Sequence, residues 1–97
     1  MMAVQLGQVV FSRAGRDAGR PFMVIALDEE GYALLSDGAL RKMESPKRKK
    51  LKHIRPTKEL FTNLGEKILG GGLPTDWEVR QALSSLGYYD VDALKEE

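Results

Sequence analysis

Gly7-Gln8-Val9-Val10-Phe11-Ser12 and Pro21-Phe22-Met23-Val24-Ile25-Ala26-Leu27 flank the stretch Arg13-Ala14-Gly15-Arg16-Asp17-Ala18-Gly19-Arg20. The flanks are short, apolar, and rich in β-branched and aromatic residues, which predicts two β-strands. Between them lie three arginines and two glycines but no large apolar residue. That composition predicts a loop in which Gly15 and Gly19 are free to take positive φ.

Outward from this unit, Asp28-Glu29-Glu30-Gly31 reads as an acidic turn and Tyr32-Ala33-Leu34-Leu35 as a third strand, closed by the turn signal Ser36-Asp37-Gly38. Leu40 and Met43 offer apolar faces for a fourth strand over residues 39–44. Three or four short strands joined by tight turns in under fifty residues predict a small antiparallel barrel rather than a βαβ fold. No helix is expected before Pro56.

Residues 41–58 hold nine bases and one acid, and five of the bases crowd into residues 47–52. Mutual repulsion favours an extended, solvated conformation there. Leu51 and Ile54 are expected to anchor the end of this run to the barrel.

The period then changes. Thr57 is placed to cap a helix over about residues 58–69, where Leu60, Phe61, Leu64 and Ile68 recur at helical spacing. Gly70-Gly71-Gly72 stops that helix and serves as a connector. Thr75-Asp76-Trp77-Glu78 has the capping-box pattern of a second helix, with Trp77, Val79, Ala82, Leu83 and Leu86 as its apolar stripe and Gly87 as its end. Residues 90–97 add a short acidic turn or tail. The fold class expected is mainly β with an α-helical C-terminal part, divided into a barrel with its basic segment (residues 1–57) and an acidic helical extension (residues 58–97).

The formal charge of the 97-residue chain is only +1, but the total conceals a split. Residues 1–58 carry twelve bases and six acids, and residues 59–97 carry three bases and eight acids. The absence of cysteine excludes disulfides, thiolate metal sites and cysteine nucleophiles, and fits a cytoplasmic setting. No apolar run has the length of a membrane span, and the first residues lack the layout of a signal peptide, so no membrane association is expected.

Enzyme signatures are wanting. His53 is the only histidine, inside the basic run; no Ser-His-Asp arrangement can be argued from it on sequence, and one histidine without cysteine makes no zinc site. The carboxylate groups Asp28-Glu29-Glu30 and Asp90/Asp92 lack calcium-loop spacing and read as a turn and a tail. Gly15 and Gly19 are not followed by a Gly-Lys-Ser/Thr ending, so they fail as a nucleotide fingerprint. No catalytic residue, metal or cofactor is expected. Basic clusters remain as the candidate site, because each phosphate neutralised by lysine or arginine releases counterions. A purely solubilising role is the competing reading for a single basic run.

The stretch from Gly7 to Arg20 resembles a KOW motif, and more narrowly the opening of the fourteen-e family of archaeal and eukaryotic large-subunit ribosomal proteins. Phe22-Met23-Val24-Ile25 is similar to the strand that follows in that family. Arg41-Lys42, Pro46-Lys47-Arg48-Lys49 and Lys52-His53 are similar to its basic segment. The likeness covers residues 5–57. It implies an SH3-like (KOW) β-barrel lying on ribosomal RNA. The RNA side would carry Arg13, Gly15, Arg16, Gly19, Arg20, Arg41, Lys42, Lys47, Arg48, Lys49, Lys50, Lys52 and His53. Asp17 is expected to hold the loop in shape by bonding to backbone or an arginine. The acidic stretch after Lys58 departs from the basic extensions common in that family, and the short form is similar to bacterial KOW-domain proteins.

The function expected is a non-catalytic RNA-binding protein, associated with ribosomal RNA and working through phosphate contacts more than base stacking. Phe11, Phe22 and Tyr32 fall on strands and read as core. Ribosomal or translation-associated proteins are further expected partners. The alternative is a protein-interaction adaptor of the translation or transcription machinery that uses the barrel and the acidic helical end. A third reading has the acidic end folding back over the basic patch.

Overall fold

Residues 4–88 are described here, from a computed structural model of the chain. Five antiparallel strands, β1 (Gln8–Ser12), β2 (Pro21–Leu27), β3 (Tyr32–Ser36), β4 (Lys47–Lys50) and β5 (Ile54–Leu60), form one open sheet in the order β4-β3-β2-β1-β5. A 3-10 turn, Leu51–His53, joins β4 to β5, and two helices follow, α1 (Thr62–Leu69) and α2 (Asp76–Ser85).

Successive residues of a strand face opposite sides of the sheet, and here both sides are covered. Val9, Met23 and Ile25 pack under the helices against Leu64, Val79, Ala82 and Leu83. Val10, Phe22, Val24, Ala33, Leu35 and Ile54 form a second core on the other side, with Leu6 and Leu51 against it. Burial on both faces accounts for the near-continuous apolar run of β2. Pro21 is tolerated because it is the first residue of that strand.

The sheet is bent. In a flat sheet three strand spacings, about 14 Å, would separate β4 from β1, more than a lysine and a serine side chain reach together. The Lys49 ammonium on β4 nevertheless donates to Ser12 Oγ on β1 at 3.0 Å. Register shifts between Gln8 and Val10 in the β1–β5 pairing and between Val24 and Ala26 in the β2–β3 pairing supply the bend.

Two elements differ from the sequence expectation. The fourth strand is not at residues 39–44 but at Lys47–Lys50, paired with β3 in the register Tyr32↔Lys50 to Leu35↔Lys47. Local bonds claim the earlier segment: Asp37 Oδ1 accepts from the amides of Ala39 (2.9 Å) and Arg41 (2.8 Å), and Ser36 Oγ donates to Arg41 O (2.7 Å). Such side-chain bonds close a turn and compete with a sheet ladder. The basic run suits an edge strand, where charge discourages pairing with another chain.

The first helix also starts later than expected. Residues 58–60 belong to β5, and Thr57 Oγ1 donates to Val9 O across the sheet at 2.7 Å instead of capping a helix. β5 thus runs through the expected boundary at residues 57 and 58, and both helices share a core with the sheet.

The capping box of α2 is present in full. Glu78 N donates to Thr75 Oγ1 (3.1 Å) and Thr75 N to Glu78 Oε1 (2.9 Å). Of the expected stripe, Val79, Ala82 and Leu83 are buried and Leu86 packs against them, whereas Trp77 is exposed with Arg80 over its ring. Residues 90–97 lie outside the described residues.

Candidate nucleic-acid interface

Loop 13–20 is a closed, hydrogen-bonded bend. Gly19 N donates to Ser12 O (2.8 Å), Ser12 N to Arg20 O (3.1 Å) and Ala18 N to Gly15 O (3.2 Å). Gly15 and Gly19 both take positive φ, 78° and 85°, a conformation that disfavours any side chain with a Cβ. At its base, Arg13 N donates to His53 O at 2.8 Å, which carries the β1–β5 pairing one residue beyond the strand.

Buried carboxylates lock this loop to the turn after β3. Asp17, 4% exposed, accepts from Arg41 Nη2 at 2.9 Å and lies 3.9 Å from Arg20 Nη1. Arg20 in turn reaches Asp37 Oδ2 at 3.2 Å. Asp17 therefore holds the loop in shape through arginines, as its position among them suggests. The same geometry engages Arg20 and Arg41 internally, opposing much of their charge.

The basic run of β4 is divided by strand alternation. Lys49 turns inward, opposite Ala33, and its buried ammonium donates to Ser12 Oγ and to Ala14 O (2.6 Å). It supports the loop from beneath and is withdrawn from any surface that RNA could touch. Arg48 points to the other face, where its guanidinium lies 3.6 Å from the Tyr32 ring centroid and pairs with Asp28 (3.1 Å) and Glu30 (2.9 Å). Burial raises the Asp28 pKa, but the amides of Tyr32 and Glu30 and the Arg48 guanidinium outweigh it and hold the carboxyl below its ordinary value. Residues 47–52 therefore do not form one continuous five-charge patch.

What remains is a set of cations without a carboxylate partner among the described residues. Of the expected site residues these are Arg13, Arg16, Lys42, Lys47, Lys50 and Lys52, all exposed except the half-buried Lys47. His53 is half-buried beside Arg13. The structure adds Arg55 and Lys58, exposed on β5 and likewise without an acid partner among the described residues. Both stand at the end of the basic run, but only the register of β5 shows that Arg55 lies directly opposite Phe11.

The acids of α2 are occupied elsewhere. Asp76 Oδ1 accepts from Met43 N (2.7 Å), and Glu78 pairs with Lys67 (3.0 Å). The Thr75 amide and the Lys67 ammonium keep the Glu78 carboxyl below its ordinary pKa. Among the described residues, no ion pair joins an acid of α1 or α2 to a cation of the sheet. A shallow hollow of about 310 Å³ lies between the helices, lined by Phe61, Leu64, Trp77 and Ala82 with Asn63, Glu78, Gln81 and Ser85. Among the described residues no group of three His, Cys, Asp or Glu side chains is placed to hold a metal, and no helix is long and apolar enough to cross a membrane. No protein-family model matches the chain, and comparison with curated protein sequences finds no match.

Proposed function

We propose that the chain is a non-catalytic, cytoplasmic RNA-binding protein built on an SH3-like KOW barrel, which rests on ribosomal RNA of the large subunit through loop 13–20 and the cations beside it. The strand order, the curl around the second core and the 3-10 turn leading into β5 support the barrel reading. One observation carries the functional reading. The buried acids Asp17 and Asp37 engage Arg20 and Arg41, so that a hydrogen-bonded loop leaves Arg13 and Arg16 exposed, with no ion-pair partner among the described residues.

A preshaped loop loses little conformational freedom on binding, and unpaired arginines exchange counterions for phosphates at small desolvation cost. The expected result is that a structured large-subunit RNA fragment binds the full chain, with affinity falling steeply as salt rises from low to physiological strength. Binding that ignores salt contradicts the proposal. Deleting the helices is no test of the adaptor alternative, since it would strip the cover from Val9, Met23 and Ile25. Replacing the exposed Glu66 and Gln81 with lysine probes that surface without opening the core. Loss of ribosome association in that variant, with naked-RNA binding intact, would favour an adaptor.

A further inference from the structure

Two arginines lie over aromatic rings on the sheet, and their surroundings differ. Arg48 over Tyr32 is neutralised by Asp28 and Glu30. Arg55 is exposed, has no carboxylate partner among the described residues, and sits 4.7 Å from the centroid of Phe11, its direct cross-strand neighbour. The Phe11 ring is braced from another side by Tyr88, edge-on at 5.2 Å and 80°. Just past the paired strands Arg13 N donates to His53 O, which sets Arg13 and His53 beside each other at the end of the ribbon, next to the Phe11–Arg55 pair. This end of the β1–β5 ribbon thus carries a braced ring, a guanidinium above it, a second exposed arginine and a histidine.

We propose that this end of the ribbon receives an unpaired RNA nucleotide, stacked on the Arg55 guanidinium, with its phosphate toward Arg13. The proposal rests on the RNA-binding reading and extends it from phosphate contact to capture of a base. A guanidinium with one side against a ring leaves its other side and its N–H edge available, and its plane suits a nucleobase better than a point charge does. Single-stranded loops and bulges are the parts of RNA whose bases are free to stack on arginine planes and aromatic rings. The positive charge of Arg55 and Arg13 complements the phosphate, and the guanidinium plane complements the base. Arg48 lacks this capacity because its two carboxylates would repel the phosphate.

The test compares two RNA probes on the full chain by fluorescence anisotropy at moderate salt: a perfect duplex, and the same duplex with one bulged purine. Base stacking supports roughly a tenfold preference for the bulged probe. Arg55→Lys, which keeps the charge and loses the plane, is expected to erase that preference, read as the ratio of the two affinities in the same protein. Phe11→Leu should act in the same direction, with circular dichroism to confirm the fold. Equal binding of both probes by the wild type, or a preference that survives Arg55→Lys, overturns the proposal and leaves the RNA-binding reading standing. Failure of either probe to bind in a salt-dependent way overturns both. Displacement of a bound acidic peptide, with no bulge preference, would assign this end of the ribbon to a protein instead.

Discussion

Loop 13–20 and strand β4 both carry runs of basic residues, and each divides them between interior and water by a different means. In the loop the sorting is done by acids: Asp17 and Asp37, both buried, draw Arg20 and Arg41 inward and leave Arg13 and Arg16 outside. In β4 it is done by the pleat, which sends Lys49 in and Lys50 out, with no carboxylate paired to Lys49 among the described residues. The loop solution pairs its cations with buried carboxylates. The strand solution buries an ammonium against neutral oxygens, and so depends on register and on the acceptors Ser12 Oγ and Ala14 O. The contrast shows why a count of lysines and arginines overstates the charge available to a polyanion: three of the site residues expected from sequence, Arg20, Arg41 and Lys49, are engaged within the fold.

Breaking the loop's sorting should produce the largest effect. Asp37→Ala removes the acceptor of two backbone amides and of Arg20, at a side chain with 1% exposure. Buried pairs broken on one side cost about 3–5 kcal/mol, and the partly exposed Arg20 lowers the figure to about 3 kcal/mol. A urea titration that finds less than about 1 kcal/mol would mean the network does not order the loop. RNA affinity at a temperature where the variant stays folded should also drop, because Arg13 and Arg16 lose their support.

A smaller effect separates two neighbours on β4. Lys49→Met is expected to cost about 1–2 kcal/mol through loss of its bonds to Ser12 and Ala14, with RNA affinity unchanged within about twofold once folded. Lys50→Met should do the reverse, leaving stability within about 0.5 kcal/mol and weakening RNA binding. Paired denaturation and binding curves for the two variants check both halves. Equal RNA losses would place Lys49 at the surface, against its buried position.

Much of the frame was legible in the sequence, where local chemistry is decisive. Val9-Val10-Phe11 and the β2 run announce strands, Gly15 and Gly19 announce a bend, and Thr75 with Glu78 announces a helix start. Elements decided by distant partners were not legible. β4 has no apolar pattern, and it forms because β3 offers an edge and Lys49 finds oxygen acceptors on Ser12 and Ala14, more than thirty residues away in the chain. Residues 58–60 keep a helical spacing that tertiary pairing with β1 overrides. The candidate site divides in the same way. Exposed arginines on a glycine loop can be read from composition, whereas the partners of Arg20 and Arg41 lie 17 and 24 residues away and depend on the sheet's curl. Phe11 reads as core from its strand position, and only cross-strand register shows it carrying Arg55.

The sorting of cations is tested most directly by the salt dependence of RNA binding in two single variants, Arg16→Gln and Arg20→Gln. Each phosphate contact contributes about 0.7–0.9 to the slope of log K against log salt. Arg16→Gln should lower that slope by nearly one full contact, while Arg20→Gln, whose charge already faces Asp37, should leave it close to the wild-type value after correction for any loss of folding. Equal slopes for the two variants, or a larger drop for Arg20→Gln, would contradict the division of labour between the acid-paired and the exposed arginines.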